Sequence, residues 1–134
     1  MISLHVTTSQ RTQFIDITRP LEVALSNNKI KDGMCCVFVP HTTAGIIINE
    51  HADPDVIADM ATALERIVPW RAGYAHAEGN SAAHIKTSLL GTSQMLLVEG
   101  GKLQLGTWQG VFLAEFDGPR TRTVWVKFLL DGQC

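Results

Sequence analysis

Four of the five histidines fall between residues 41 and 84, at His41, His51, His76 and His84. His41 ends an apolar run and is followed by Thr42 and Thr43. It therefore stands where side chains emerge from a sheet, with two hydroxyls and tight-turn N–H groups beside it. That combination suits contacts to an anion or to metal-bound water. The segment from His76 to His84 carries the densest chemistry. It holds two imidazoles and the Glu78 carboxylate within nine residues. His41, His76 and His84, with Glu78 as a weaker fourth, are candidate ligands for a divalent ion such as zinc or magnesium. No standard zinc spacing is matched. Gly79, Asn80 and Ser81 stand where a helix begins, and its free N–H groups attract phosphate. Lys86 is close enough in sequence to assist an anion. Glu50 ends a second apolar run and is a candidate site carboxylate. Trp108, between glycines, could stack on a flat heterocycle while Gln109 reads its edge. Arg120 and Arg122 could add positive charge beside an anion. His5, alternating with Leu4 and Val6, reads as an exposed strand residue. Asp53 reads as a helix cap.

Elements to position these residues are legible. Ser3–Thr8 and Gln13–Ile17 alternate apolar and polar residues and read as strands with a turn near Ser9-Gln10-Arg11. Thr18-Arg19-Pro20 opens a short helix reaching Asn28, with Thr18 as its expected cap. Met34–Val39 and Ala44–Asn49 are dense, β-branched apolar runs, expected to be strands buried on both faces. Asp53-Pro54 starts a helix whose stripe is Val56, Ile57, Met60, Ala61, Leu64 and Ile67, stopped by Pro69. Arg71–Asn80 reads as a loop and Ser81–Leu90 as a helix ended by Gly91. Gln94–Val98, Lys102–Leu105, Val111–Phe116 and Arg122–Leu130 complete about eight strands and three helices. Gly100-Gly101 and Asp117–Arg120 read as turns. The class is α+β, with a largely antiparallel or mixed sheet or sandwich.

The chain has 134 residues, 46% of them hydrophobic and 18% charged, with a formal net charge of −2. One domain spanning 1–134 is expected, able to bury roughly two-thirds of its unfolded surface. The charge balance argues against a general nucleic-acid binder. No apolar run approaches the ~20 residues of a membrane span. The N-terminus lacks a signal-peptide layout, so a soluble cytoplasmic protein is expected. Cys35 and Cys36 are adjacent and should point to opposite strand faces. With Cys134 at the end, they make no disulfide framework.

His41-Thr42-Thr43-Ala44, Asn49-Glu50 and Asp53-Pro54-Asp55-Val56 with Asp59 resemble the first half of the YjbQ-type family. The second half is resembled by four blocks. They are His76-x-Glu78-Gly79-Asn80-Ser81-Ala82-Ala83-His84-Ile85-Lys86, Leu89-Leu90-Gly91-x-Ser93, Leu105–Gln109 and Phe116–Arg120. The resemblance implies a compact α+β fold, a homotrimer and a cleft near subunit interfaces. It also implies a weak thiamine-phosphate synthase activity, joining a pyrimidine-methyl diphosphate to a phosphorylated thiazole and releasing diphosphate. The polar residues carried over are His41, Thr42, Glu50, His76, Glu78, Asn80, His84, Lys86, Trp108 and Gln109. In the catalytic role these are His41, His76, His84 and Glu50. The phosphate contacts fall to Thr42, Thr43, Gly79, Asn80, Ser81, Lys86 and Arg120. Many members carry an acidic residue where this chain reads Asn80-Ser81-Ala82-Ala83, so a metal held by that carboxylate would lack it here. Two other readings use the same residues: a metal-dependent hydrolase, and a non-catalytic trimeric protein that binds a small metabolite.

Overall fold

The computed structural model describes residues 1–132, so the expectation for Cys134 lies outside the described residues. Eight strands form two antiparallel sheets. The first sheet has the order β1-β8-β3-β5-β6, from Ile2–Thr7, Thr121–Leu130, Gly33–Phe38, Ser93–Glu99 and Lys102–Leu103. The second has the order β2-β7-β4, from Gln13–Asp16, Gln109–Glu115 and Ala44–Glu50. Three helices, α1 (Thr18–Asn27), α2 (Pro54–Ile67) and α3 (Ser81–Leu90), complete the α+β fold.

The two sheets face one another. Cys35, Val37, Leu96, Val98, Val124 and Val126 from the first meet Ala44, Ile46, Val111 and Leu113 from the second, with Leu21 and Leu25 of α1. The period of two sends alternate β7 residues the other way. Ala114 and Phe116 lie on the outer face of the small sheet, with Ala83 and Leu90 of α3, Leu64 of α2, Phe14 and Trp70. The layers are therefore sheet, sheet, then helices. Close approach of α3 needs Gly45, whose Cβ would stand 2.5 Å from the Gly91 carbonyl oxygen.

The turn near Ser9-Gln10-Arg11 carries the chain between sheets: β1 pairs with β8 and β2 with β7. Two expectations need correction. Thr18 is not a cap. Ile17 holds that position, while the Thr18 hydroxyl donates to Asp16 and accepts from the Val111 N–H. β3 is buried on one face only. Cys35 and Val37 face the core, whereas Phe38 is 40% exposed and Cys36 half-buried. Burial beside Cys36 pushes the Cys35 thiol up to about 12. The α2 reading holds: the Asp53 carboxylate accepts from the Asp55 N–H, and Pro54 opens the helix. Its stripe is half-buried, with Ile67 exposed. His5 is exposed. No helix among the described residues is long and apolar enough to cross a membrane.

Candidate functional site

The end of β3, the Pro40–Thr43 connection, the loop before α3, and the Asp117–Arg122 stretch converge on one open pocket of about 670 Å³. It is lined by His41, Thr42, Thr43, His76, Glu78, Asn80, His84 and Arg120 among the expected site residues. Phe38, Thr92, Asp117 and Arg122 line it as well.

Its floor is an ion pair that bridges the sheets. Glu115 of β7 falls in phase with the core residues Val111 and Leu113, and Arg122 of β8 with Val124 and Val126, so both point inward between the layers. Glu115 is wholly buried and Arg122 is 3% exposed. The guanidinium donates to both Glu115 oxygens and, at 2.8 Å, to the Thr43 hydroxyl. Glu115 also accepts from the Thr8 hydroxyl and the Asp117 N–H. Burial alone would raise the Glu115 carboxyl; the bonds from Arg122, Asp117 and Thr8 outweigh it and hold the carboxyl below its usual range. One buried pair thus fixes Thr43 on one wall and the Asp117 turn on another.

His41 is held just as specifically. Its Nε2 accepts the Thr123 N–H at 3.0 Å, which leaves Nδ1 to carry the proton and donate. Burial, then the Arg122 charge, keep the imidazole below its usual pKa. A neutral ring with one fixed donor results. His76 and His84 meet edge to face, with ring centres 5.5 Å apart. Asn80, 7% exposed, donates to Asp117 at 2.9 Å, while its Oδ1 is buried with no partner. Arg120 is tethered to the same Asp117 carboxylate at 3.0 Å and remains half in solvent. Asn80 provides no side-chain cap for α3, but its backbone carbonyl accepts the Ala83 N–H at 3.0 Å, and Ala82 and Ala83 are wholly buried.

Four expected residues lie elsewhere. Lys86 sits two positions beyond His84, about 200° around the helix. It therefore faces α2, is 1% exposed, and meets Glu65 at 2.8 Å. That bond and the Lys86 charge hold the Glu65 carboxyl below its usual range against partial burial. Lys86 is a buried strut within this chain, not an anion contact. Glu50 and Gln109 are paired at the far end of β4, about 20 Å of strand from the pocket. Trp108, 63% exposed, stands there too, and Gln109 Oε1 is taken by the Gly106 N–H. Gly79 and Ser81 flank the lining residue Asn80 without lining the pocket themselves.

The donor set does not fit a resident metal within one chain. His41 Nε2 is spent on a backbone amide. Among the described residues, no three His, Cys, Asp or Glu side chains gather at metal-holding distance.

Asp117 and Glu115 were missed. A carboxylate inside the apolar run Val111–Phe116 is itself a signal, since a buried charge demands a partner. The family profile described as UPF0047 protein YjbQ-like matches residues 2–131. The chain belongs to the YjbQ-like UPF0047 family. A UPF0047 protein of Methanocaldococcus jannaschii is 48% identical over 131 residues, covering 98% of this chain and 95% of the relative. YugU of Bacillus subtilis, also a UPF0047 protein, is 49% identical over 128 residues, covering 95% and 97%. A YjbQ/UPF0047 crystal structure from Clostridium acetobutylicum superposes with a TM-score of 0.94 at 53% identity, covering 96% and 100%. A conserved hypothetical protein from Thermus thermophilus gives 0.89 at 48%, covering 96% and 100%. The YjbQ-like fold is thus secured on close relatives, and these relatives are described as uncharacterised or hypothetical.

Proposed function

We propose that the pocket binds a phosphorylated small molecule and supports a weak transfer reaction of the thiamine-phosphate synthase type. The observation that carries this reading is the fixed His41 Nδ1–H donor, set in one cavity with Arg120, His76 and His84. In the reaction, the thiazole nitrogen gives its lone pair to the pyrimidine-methyl carbon. The carbon–oxygen bond to diphosphate breaks, and the leaving group takes that electron pair. Such a step asks chiefly for charge neutralisation and held geometry. His41, Thr42 and Arg120 would contact phosphate oxygens. His76 and His84 would supply protons to the leaving group. Asn80 would hold Asp117, and through it Arg120, in place beside the substrate. No step is assigned to a divalent ion.

The homotrimer belongs to the same proposal. On the outer face of the large sheet, Met34, Cys36 and Phe38 of β3 stand beside Met95 and Leu97 of β5 and Trp125 of β8. Phe38 and Trp125 stack with ring centres 5.9 Å apart, and Met95 and Leu97 are 52% and 61% exposed. A largely apolar face of this kind, interrupted by Lys127 opposite Cys36, supports the reading of an interface. Phe38 also lines the pocket, so a second copy on this face would help enclose it.

The test is purified protein with both substrates, reading diphosphate release and the joined product, beside calorimetric binding of diphosphate alone. Activity lost in Arg120→Ala and His84→Ala supports the transferase. Binding without turnover supports the non-catalytic reading. That second reading is favoured by His41, whose Nε2 is unavailable as a base. Neither binding nor turnover sinks both.

A further inference from the structure

At the far end of the small sheet, a second cavity of about 240 Å³ lies between the sheet's outer face and the first turn of α2. Phe14, Phe112, Pro54 and Ile57 supply apolar walls; His51 and two carboxylates, Asp16 and Asp53, supply the polar rim. His51 Nδ1 meets Asp16 Oδ2 at 3.0 Å. The other Asp16 oxygen accepts from the Thr18 N–H at 2.9 Å and the Thr18 hydroxyl at 2.6 Å. Asp53 Oδ1 is taken by the Asp55 N–H. The dyad is built into the backbone. A Cβ at Gly110 would stand 2.5 Å from His51 Nδ1, so the ring lies where only glycine leaves room.

This arrangement has a definite polarity. Asp16, held ionised by Thr18 and His51 against the effect of burial, fixes the proton on Nδ1. Nε2 is then an acceptor, and it has no hydrogen-bond partner among the described residues. Two carboxylates at the rim repel anions, the reverse of the His41 pocket. Three of the carboxylate oxygens are already engaged, which weakens the case for an ammonium ligand. We infer that this cavity is a second binding site, for a small neutral aromatic molecule bearing one O–H or N–H donor. Its ring enters between Phe14 and Phe112, and its donor meets Nε2 of the Asp16-oriented His51. The inference does not depend on the phosphate reading of the other pocket.

The probe is 4-fluorophenol, followed by fluorine NMR on the full chain. A saturable shift is expected, with nuclear Overhauser contacts from the probe ring to Phe14 and Phe112. His51→Phe, which keeps a ring but no acceptor, and Ile57→Trp, which fills the cavity, should each weaken binding at least tenfold. His84→Ala, in the other pocket, should leave it unchanged. The inference is overturned by the absence of a saturable shift in the wild type. It is overturned equally by contacts to other aromatic rings, or by loss in His84→Ala with retention in His51→Phe. The Overhauser contacts need no variant, so a misfolded substitution leaves the test intact.

Discussion

Arg122→Met is the most informative single change in the bridge between the sheets. It leaves Glu115 wholly buried between two sheets, with only the Thr8 hydroxyl and the Asp117 N–H as donors. It also removes the 2.8 Å bond that fixes the Thr43 hydroxyl. Breaking a buried pair from one side costs about 3–5 kcal/mol. That is a large part of the 5–15 kcal/mol typical of a domain. Urea unfolding at pH 7 should show a loss of this size. The pH dependence supplies a sharper check. In the wild type the Glu115 pKa is lowered on folding, so its contribution is present above about 4.3, the usual unfolded value, and is lost as pH falls through the lower folded one. In Arg122→Met, burial without its main partner raises that pKa instead. The stranded carboxyl then neutralises on acidification, and the gap between variant and wild type should shrink from pH 7 to pH 5. Adding Glu115→Gln to Arg122→Met should restore part of the loss, because no buried charge remains. A cost below about 1 kcal/mol at pH 7, or a gap independent of pH, would refute the claim that this pair is an obligatory core element.

Four other outcomes are expected. His41→Ala strands the Thr123 N–H and should cost about 1 kcal/mol. Because the folded His41 pKa is depressed, wild-type stability should fall as pH drops below about 6.5, and urea unfolding of His41→Ala should lack that part of the slope. Glu65→Leu leaves a nearly buried Lys86 ammonium alone and should destabilise by about 1–3 kcal/mol; Lys86→Met, which leaves a half-exposed carboxylate, should cost less by the same denaturation assay. Metal analysis of purified protein should find well under one zinc per chain, and a near-stoichiometric ion lost in His84→Ala would overturn the reading of the donor set. On the proposed homotrimer, native mass spectrometry should find a trimer for the wild type and monomers for Met95→Lys combined with Leu97→Lys, and equal masses would refute a role for this face in assembly.

Local chemistry in the sequence was a good guide wherever a local rule decides the structure. Asp53-Pro54 starts α2 and Gly91 ends α3 because caps act within one turn. The alternation of Val124 and Val126 with Thr123 and Trp125 gives the β8 face directly. Pairing is another matter. Ser9–Arg11 reads as a turn, yet the strands it joins belong to different sheets, β1 pairing with β8 and β2 with β7. Dense apolar composition likewise does not separate a strand buried on both faces from one whose outer face is partly open. Met34, Cys36 and Phe38 are of the second kind, half-buried or exposed.

The same distinction explains the candidate site. His41, His76 and His84 gather because the β3 end, the pre-α3 loop and α3 meet there. Lys86 is excluded by helical phase alone, which sequence proximity ignores. Glu50, Trp108 and Gln109 are excluded by strand length: β4 begins at the pocket and ends six residues later beside β7's start. The polar residues that the family resemblance singles out therefore occupy both ends of a three-stranded sheet. An exposed Trp108 and a half-buried Glu50 at one end, with an open pocket at the other, have no common task within one chain. They acquire one if neighbouring copies bring the two ends together, and covering the Phe38 face sets a neighbour against the pocket's rim.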